Sequence, residues 1–416
     1  MEKVMFAIAG MGNRGTRYAQ EQLEYPDDMQ VVAMADPRPV RLEAANKFLH
    51  LPADRIFSSV EEMLEQPKLA DVMIIATQDA QHKAHAIGAL KKGYDLILEK
   101  PIANHLQDCF EIRDCANALG RRVLVCHVLR YTPFYRTIKD LLKAGKIGKI
   151  ESIGATEGVG YYHIAHSYVR GNWHKLADSS PMILAKCCHD MDLMLWLSGQ
   201  SCEKVTSFGS LDFFKKENCP PDAADRCEDC KRDCPYNAVN FYLGRIPGWP
   251  TNILNPEPTP ENIMEALRTT NYGRCVFKMD NDVVDHQVVN MLLGSGITVT
   301  FQMVGFTEKQ DRSIRIFGTE GEIYGRMRDK KIHVFRFNEK EEVIDVSAKL
   351  SSFGGHGGGD SGLIHDAIRY FRNEEFDRTS ITELNDSVDS HVLAFAAERS
   401  RLDGGRLVDV PGFDKE

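Results

Sequence analysis

The chain has 416 residues, a formal net charge of −9 and eleven cysteines. That length supports two or three domains around a sizeable core. Lysine and arginine are spread along the chain, which excludes a nucleic-acid footprint, and no apolar run approaches the roughly 18 residues that span a bilayer. No secretion signal precedes the first strand, so the cysteines read as thiols or metal ligands rather than disulfides, and the expected compartment is cytoplasmic.

The first 125 residues alternate strand and helix. Strands are predicted at Val4–Ala9, Val31–Ala35, Val72–Ala76, Leu96–Leu98 and Val123–Cys126. Helical patterns fall between them at Arg14–Leu23, Val40–Phe48, Val60–Gln66, Gln81–Lys92 and Gln107–Leu119. Such alternation predicts a parallel, doubly wound sheet with ligand beyond the carboxyl ends of its strands. After the first strand, Gly10, Gly12 and Gly15 stand at G-x-G-x-x-G spacing. The first allows a tight turn, the second lets a pyrophosphate approach the backbone, and the third lets the next helix pack closely. That helix opens with free N–H groups and the positive end of its dipole. Asp36 ends the second strand, 21 residues after Gly15, where a carboxylate holds ribose hydroxyls. A carboxylate there repels a 2′-phosphate, so NAD is expected over NADP. Arg14 and Arg38 either stack on adenine, pair with phosphate, or are solvated surface residues.

Other strand ends carry Ala76-Thr77, Glu99-Lys100 and Cys126-His127. Pro101 restricts the backbone after Lys100. A lysine in a cleft can trade a proton with a substrate hydroxyl; a surface lysine beside a helix start is the alternative.

G-M-G-N-R-G, Asp36, Glu99-Lys100-Pro101 and His127-Val-Leu-Arg-Tyr-Thr-Pro together resemble the glucose-fructose oxidoreductase and inositol dehydrogenase family, Gfo/Idh/MocA. The resemblance covers the first 200 residues well and continues toward the end. It implies a Rossmann domain, then an α+β domain with a large, mostly antiparallel open sheet. It also implies a homo-oligomer, dimer or tetramer, formed through that sheet. Lys100 takes the place of the lysine that lies near the nicotinamide and the reacting hydroxyl. The expected cofactor residues are Gly10, Gly12, Asn13, Arg14, Gly15, Asp36, Arg38, Ala76, Thr77, His82, Glu99, Lys100 and Arg130.

The domain boundaries are expected at 1–127 and 128–416, with a Cys-rich insertion near 215–240. In the second domain, strands are predicted at Ile150–Glu157, Val205–Ser210, Cys275–Met279, Val283–Met291, Ile297–Val304, Ser313–Phe317, Glu322–Gly325 and Ile332–Phe337. A glycine-containing turn, Leu292 to Gly296, joins two of them into a hairpin. Ile183–Leu197 reads as one amphipathic helix, with His189 and Asp192 three apart on one face. The resemblance gives His189 the role of a substrate-side histidine that supports proton transfer. The family's aspartate four residues earlier is Ala185 here, followed by Lys186. This departure removes one carboxylate and adds a cation.

His163 to His174 is dense in polar side chains and not clearly helical. A sugar site needs fixed donors, acceptors and an apolar platform, which Tyr168, Arg170, Asn172 and Trp173 can supply. The alternative is a loop held by its own polar network. The expected substrate residues are His166, Tyr168, Arg170, Trp173, Lys186, Asp192, His286 and His356. His286 follows Asp285 in a predicted strand, where charge is unusual unless it faces a site. His356 and Asp360 sit in the glycine-rich stretch Phe353 to Asp360, read as a loop over substrate or as a connector.

Cys219, Cys227, Cys230 and Cys234 have the spacing C-x7-C-x2-C-x3-C. Four thiolates within 16 residues can surround a tetrahedral zinc, so a structural zinc site is expected here, with reduced thiols in a surface loop as the alternative. An iron–sulfur cluster fits the spacing less well. The reading as a whole is an NAD-dependent oxidoreductase acting on a secondary alcohol of a sugar, cyclic polyol or glycoside. Its alternatives are an NAD-requiring glycosidase that works by transient oxidation, and a non-catalytic NAD-binding regulator.

Overall fold

A computed structural model describes residues 2–349 and 355–413. Phe353 and Gly354 of the glycine-rich stretch lie outside the described residues. Six strands form the first sheet: β1 (Val4–Ala9), β2 (Met29–Ala35), β3 (Ile56–Phe57), β4 (Val72–Ile75), β5 (Asp95–Leu98) and β6 (Val123–Val125). Their order is β3-β2-β1-β4-β5-β6, with every pairing parallel. Helices α1 (Asn13–Gln20), α2 (Pro39–Leu49), α3 (Val60–Glu65), α4 (His82–Lys91) and α5 (Leu106–Ala118) connect them. The strands are apolar on both faces because helices cover both. Phe6 and Ile8 pack into one layer, while Ala7 and Ala9 pack into the other.

The second unit begins with α6 (Pro133–Lys143), whose first turn is capped by Thr132 Oγ1 accepting from the Tyr135 N–H at 3.2 Å. Then come β7 (Ile150–Gly158), α7 (Tyr161–His163), α8 (Met182–Ala185), α9 (Cys188–Ser198) and β8 (Cys202–Ser210). The Cys-rich region leads into α10 (Ala238–Leu243), α11 (Thr251–Leu254) and α12 (Pro260–Thr269). Six strands follow: β9 (His286–Leu293), β10 (Thr298–Val304), β11 (Asp311–Gly318), β12 (Gly321–Arg326), β13 (Lys331–Arg336) and β14 (Glu342–Asp345). The chain ends with α13 (Gly359–Phe371), α14 (Leu384–Leu402) and β15 (Val408–Asp409).

The second sheet has nine strands in the order β14-β13-β12-β11-β7-β10-β9-β8-β15. Among the described residues, only β7 and β10 pair in parallel in this sheet. Along β10, Val299, Phe301 and Met303 are buried while Thr298, Thr300 and Gln302 are exposed. That alternation marks a sheet with one face on helices and one face open. The covered face meets α6, α9 and α14 in a single core. The last two long helices also return to the first sheet. Leu363, Ile364 and Ala367 of α13 join one of its apolar layers, and Leu384 and Val388 of α14 join the other. Among the described residues, no helix is long and apolar enough to cross a membrane.

Four predicted elements differ. Residues 275–279 form a single turn (Val276–Lys278) rather than a strand. The strand predicted from Val283 begins at His286, because Asp285 turns to accept the N–H groups of Asp212 and Phe213. The stretch from His163 is helical: α7 runs into a wide turn over Ile164–Arg170, with all seven residues of that turn buried. The helix predicted over Ile183–Leu197 is broken at Lys186-Cys187 into α8 and α9.

Candidate functional site

The glycine turn is built by close approach. Gly10 has φ +93°, and a Cβ there would meet the Ala76 carbonyl oxygen at 2.6 Å. A Cβ on Gly15 would lie 1.9 Å from the Gly10 oxygen. Helix α1 starts at Gly12 with no side-chain cap, which leaves its first N–H groups for an anion. Asp36 is 2% exposed and pins this turn. Its Oδ2 accepts the Met11 N–H at 2.9 Å, and its Oδ1 accepts the Arg38 N–H at 2.9 Å and Arg38 Nε at 3.3 Å. These features fit a dinucleotide: a cradle that a Cβ would fill, an uncapped helix start and a carboxylate at the second strand's end.

Beneath the turn lies an ionic cluster that sequence reading assigned differently. Arg14 does not extend toward adenine. Its Nε donates to Glu99 at 2.7 Å, its Nη2 to Asp360 at 2.6 Å and to Tyr18 Oη at 2.6 Å. Burial pushes the Glu99 carboxyl up, but Arg14 and Lys100 outweigh that and hold it below the usual carboxylate range. Asp360 is likewise held well below that range against its burial, first by Arg14 and then by His356. His82, expected at the cofactor, is fully buried and faces two backbone carbonyls, of Pro101 at 2.8 Å and Thr77 at 3.2 Å. Arg130 and Asp192, expected at cofactor and substrate, bind each other through two buried contacts of 2.7 and 2.5 Å. A pair closed in this way braces α9 against the segment after β6.

The break between α8 and α9 sets the reactive end. In a continuous helix the Ala185 carbonyl would accept the residue-189 N–H. Here it accepts Lys100 Nζ at 3.0 Å. His189 stands in the first turn of α9, 4% exposed, and its Nδ1 has no protein partner. Burial, then Lys100 and Arg312, push its pKa well below the ordinary histidine value, so it is neutral at pH 7. Lys186, at the break itself, meets Glu157 Oε1 at 3.2 Å, and burial lowers its pKa. Glu157 Oε2 also takes Arg312 Nε at 2.9 Å, and Arg312 forks onto Asp190 at 2.8 and 3.0 Å. Lys186, Glu157, Arg312 and Asp190 thus form a buried, balanced four-charge cluster beside the break. Glu157 and Arg312 were missed in the sequence, where each is an ordinary charged residue within a strand.

Other expected substrate residues divide between the cleft and its supports. Trp173 Nε1 donates to Asp79 at 3.0 Å, and Tyr168 is buried between Trp173 and His163. His163, absent from the expected set, lies within electrostatic reach of Lys186 and Lys100. His166 faces inward, with Nδ1 2.7 Å from Tyr242 Oη and its ring stacked on Tyr272 at 4.9 Å. Arg170 is a structural tie: it donates to the carbonyls of Arg274 at 2.7 Å and Tyr236 at 2.8 Å. His286 stands on the open face of the second sheet, 48% exposed and turned to Asp285 at 2.8 Å. His356 lies 6.3 Å from the His189 ring and 3.0 Å from Asp360. His127 is a further buried ring, 5.8 Å from His189, with neither nitrogen bonded to protein.

The structure lends the zinc expectation no support. Among the described residues, no group of three or more His, Cys, Asp or Glu side chains is placed to hold a metal ion. Cys227 Sγ instead contacts Arg170 Nη2 at 3.5 Å and the Arg274 carbonyl at 3.8 Å, while Cys219 faces the Pro220 carbonyl. The segment packs on an apolar cluster of Cys227, Ala238, Tyr242, Ile263 and Leu267.

A parallel sheet with a glycine cradle, a strand-end Asp36 and a cleft lysine defines an NAD-binding oxidoreductase. The chain belongs to the Gfo/Idh/MocA family. Residues 4–127 match its oxidoreductase NAD-binding Rossmann domain, and residues 139–407 its C-terminal alpha/beta domain. It is similar to the putative oxidoreductase YteT of Bacillus subtilis, 25% identical over 361 residues and 81% of each chain. It is also similar to the 2,7-anhydro-N-acetylneuraminate hydratase of Escherichia coli, 26% identical over 206 residues, 50% of this chain and 52% of that one. Among solved structures, a levoglucosan dehydrogenase in complex with NADH shares the fold with a TM-score of 0.74 at 15% identity, covering 99% of this chain and 100% of the other. The WlbA dehydrogenase of Bordetella pertussis, in complex with NADH and UDP-GlcNAcA, gives 0.70 at 18% identity, covering 98% of each.

Proposed function

We propose that the protein transfers a hydride between a secondary alcohol of a sugar, cyclic polyol or glycoside and NAD(H), with Lys100 as the acid–base group. The observation that supports this best is the placement of Lys100 at the end of β5, held at 3.0 Å by the Ala185 carbonyl and adjoining a neutral His189. Nicotinamide, when bound, supplies the hydride acceptor or donor. Lys100 Nζ holds or accepts the proton of the reacting hydroxyl. Neutral His189 stands beside Lys100 and orients the hydroxyl; burial and its cationic neighbours keep the ring uncharged, so the proton stays with Lys100. Lys186 and His163 line the substrate side, and the Lys186–Glu157–Arg312–Asp190 cluster keeps the break beside them electrically balanced.

A second reading is a net redox-neutral reaction, hydration or glycoside cleavage through transient oxidation. It is favoured by relatives named as hydratases, whose reaction involves no net transfer of electrons. The two readings separate by product: NADH accumulates in the first and not in the second.

The test starts from a sugar and polyol panel, with NADH absorbance and product both monitored. Lys100→Met keeps the apolar stem and deletes the amine. Turnover falls by roughly 10² to 10⁴, the range for losing a general acid–base group, while NAD still binds. Wild-type turnover in Lys100→Met would remove the lysine from proton transfer.

A further inference from the structure

The chain following the Cys-rich segment crosses from the second unit back over the glycine turn. Asn252, in α11, donates through Nδ2 to Asn13 Oδ1 at 3.4 Å, at the start of α1. The next residue, Ile253, offers its carbonyl to Arg41 Nη2 at 3.4 Å. Glu257 pairs with Lys47 in the last turn of α2. At its other end Trp249 rests on the rings of His163 at 4.8 Å and His166 at 5.4 Å. Residues 249–257 therefore bridge the His163–His166 turn of the second unit and the α1 and α2 side of the glycine turn.

Arg41 is the charge beneath this bridge. Its Nη1 reaches to 3.0 Å from where a Cβ on Gly12 would stand, over the glycine whose lack of a side chain lets a pyrophosphate approach. Its Nη2 donates to the Ile253 carbonyl rather than to a carboxylate. Burial and the neighbouring Arg38 depress its pKa, a penalty that an anion at this spot relieves.

We infer that residues 249–257 are a strap that closes over the pyrophosphate and adenosine side of the dinucleotide, with Arg41 as the phosphate contact held under it. The inference rests on the NAD-dependent reading above and adds to it a cofactor-retaining element from outside the Rossmann unit. Release of the dinucleotide then requires the strap to lift.

The test uses the full-length protein and NADH as probe, and needs no substrate. Protein loaded with NADH is mixed with excess NAD, and the loss of bound-NADH fluorescence gives the release rate. Glu257→Lys sets like charges at an exposed contact away from the chemistry and should speed release about fivefold. Adding Lys47→Glu to it restores the opposite-charge pair and should return the rate to within about twofold of wild type. Trp249→Ala removes the ring contacts at the other end, which a partly exposed side chain makes, and should speed release by about three- to tenfold. Wild-type release rates in both Glu257→Lys and Trp249→Ala would overturn the strap, as would a charge swap that fails to restore the rate. A wild-type protein that binds no NADH would sink the NAD-dependent reading itself, whereas normal binding with unaltered release removes the strap alone.

Discussion

His166 and His391 make the fold sensitive to mild acid. Both are almost completely buried, and burial drives each pKa down to about 3; for His166 the Arg170 charge adds to it, and for His391 the neighbouring His127 ring. His391 Nε2 accepts the Ile102 N–H at 2.9 Å, a bond that only the neutral ring makes. In the unfolded chain each titrates near 6.5. The folded pKa lies below the unfolded one, so the unfolded state binds more protons between the two values. Stability is therefore intact above about pH 6.5 and falls as pH drops toward 3. Between pH 7 and pH 5 each ring loses about 2 kcal/mol, or about 4 kcal/mol for the pair, against a total of about 5–15 kcal/mol for a typical domain. The assay is urea unfolding at pH 7 and pH 5 for wild type and for His166→Phe. The variant leaves Tyr242 Oη without its 2.7 Å partner, a loss that is the same at both pH values and cancels in the difference. The pH-dependent drop should shrink by about 2 kcal/mol in His166→Phe. An equal drop in variant and wild type would refute the assignment of His166 as a buried neutral ring.

Gly15→Ala should abolish NAD binding and destabilise the first unit, because its Cβ would lie 1.9 Å from the Gly10 oxygen, a backbone atom that cannot swing aside; calorimetry with NAD and a melting curve check both. The open face of the second sheet carries exposed Phe208, Phe317 and Tyr324, a surface suited to burial against another copy, so sedimentation should give a dimer or tetramer, and a purely monomeric species at micromolar concentration would contradict this.

The first sheet was legible because its signals are local. The Gly10-Gly12-Gly15 spacing, the apolar runs and Asp36 each carry their meaning within a few dozen residues, and the structure places them as the spacing predicts. The cleft was legible only in part, because a lone charged residue does not announce its partner. Arg130 and Asp192 were both singled out, yet they satisfy each other and leave little for a ligand. Glu157 and Arg312 were passed over, although their strands pair so that the two side chains meet Lys186 and Asp190 in one cluster. The cysteine spacing permits a tetrahedral site, but spacing alone does not place the thiols: the segment is tied by Arg226, which bonds the carbonyls of Leu267 and Thr270, and by the core around Tyr242. The break at Lys186-Cys187 left no trace in the apolar periodicity, because the residues on both sides are buried.

The cluster around Glu99 explains why the chain returns to its first sheet at the end. Glu99 accepts from Arg14 of α1, from Tyr18 Oη at 2.7 Å and from the Lys100 N–H at 2.9 Å. Arg14 is in turn held by Asp360, which arrives on α13 from the far end of the sequence. One buried carboxylate thus sets the start of the phosphate-facing helix and the backbone of the proposed acid–base lysine, and a second, 346 residues away from Arg14, completes the charge balance. Removing Asp360 alone would leave Arg14 under-compensated in a buried setting, which is a costlier state than losing both partners. A Rossmann unit cut after residue 127 would lack Asp360, the α13 and α14 side chains in its apolar layers, and His391 on the Ile102 N–H. The nucleotide cradle and the second unit are therefore not independent modules joined by a linker. The geometry of Lys100 depends on the docking of α13, and that dependence couples the fold of the second unit to the chemistry at the end of β5.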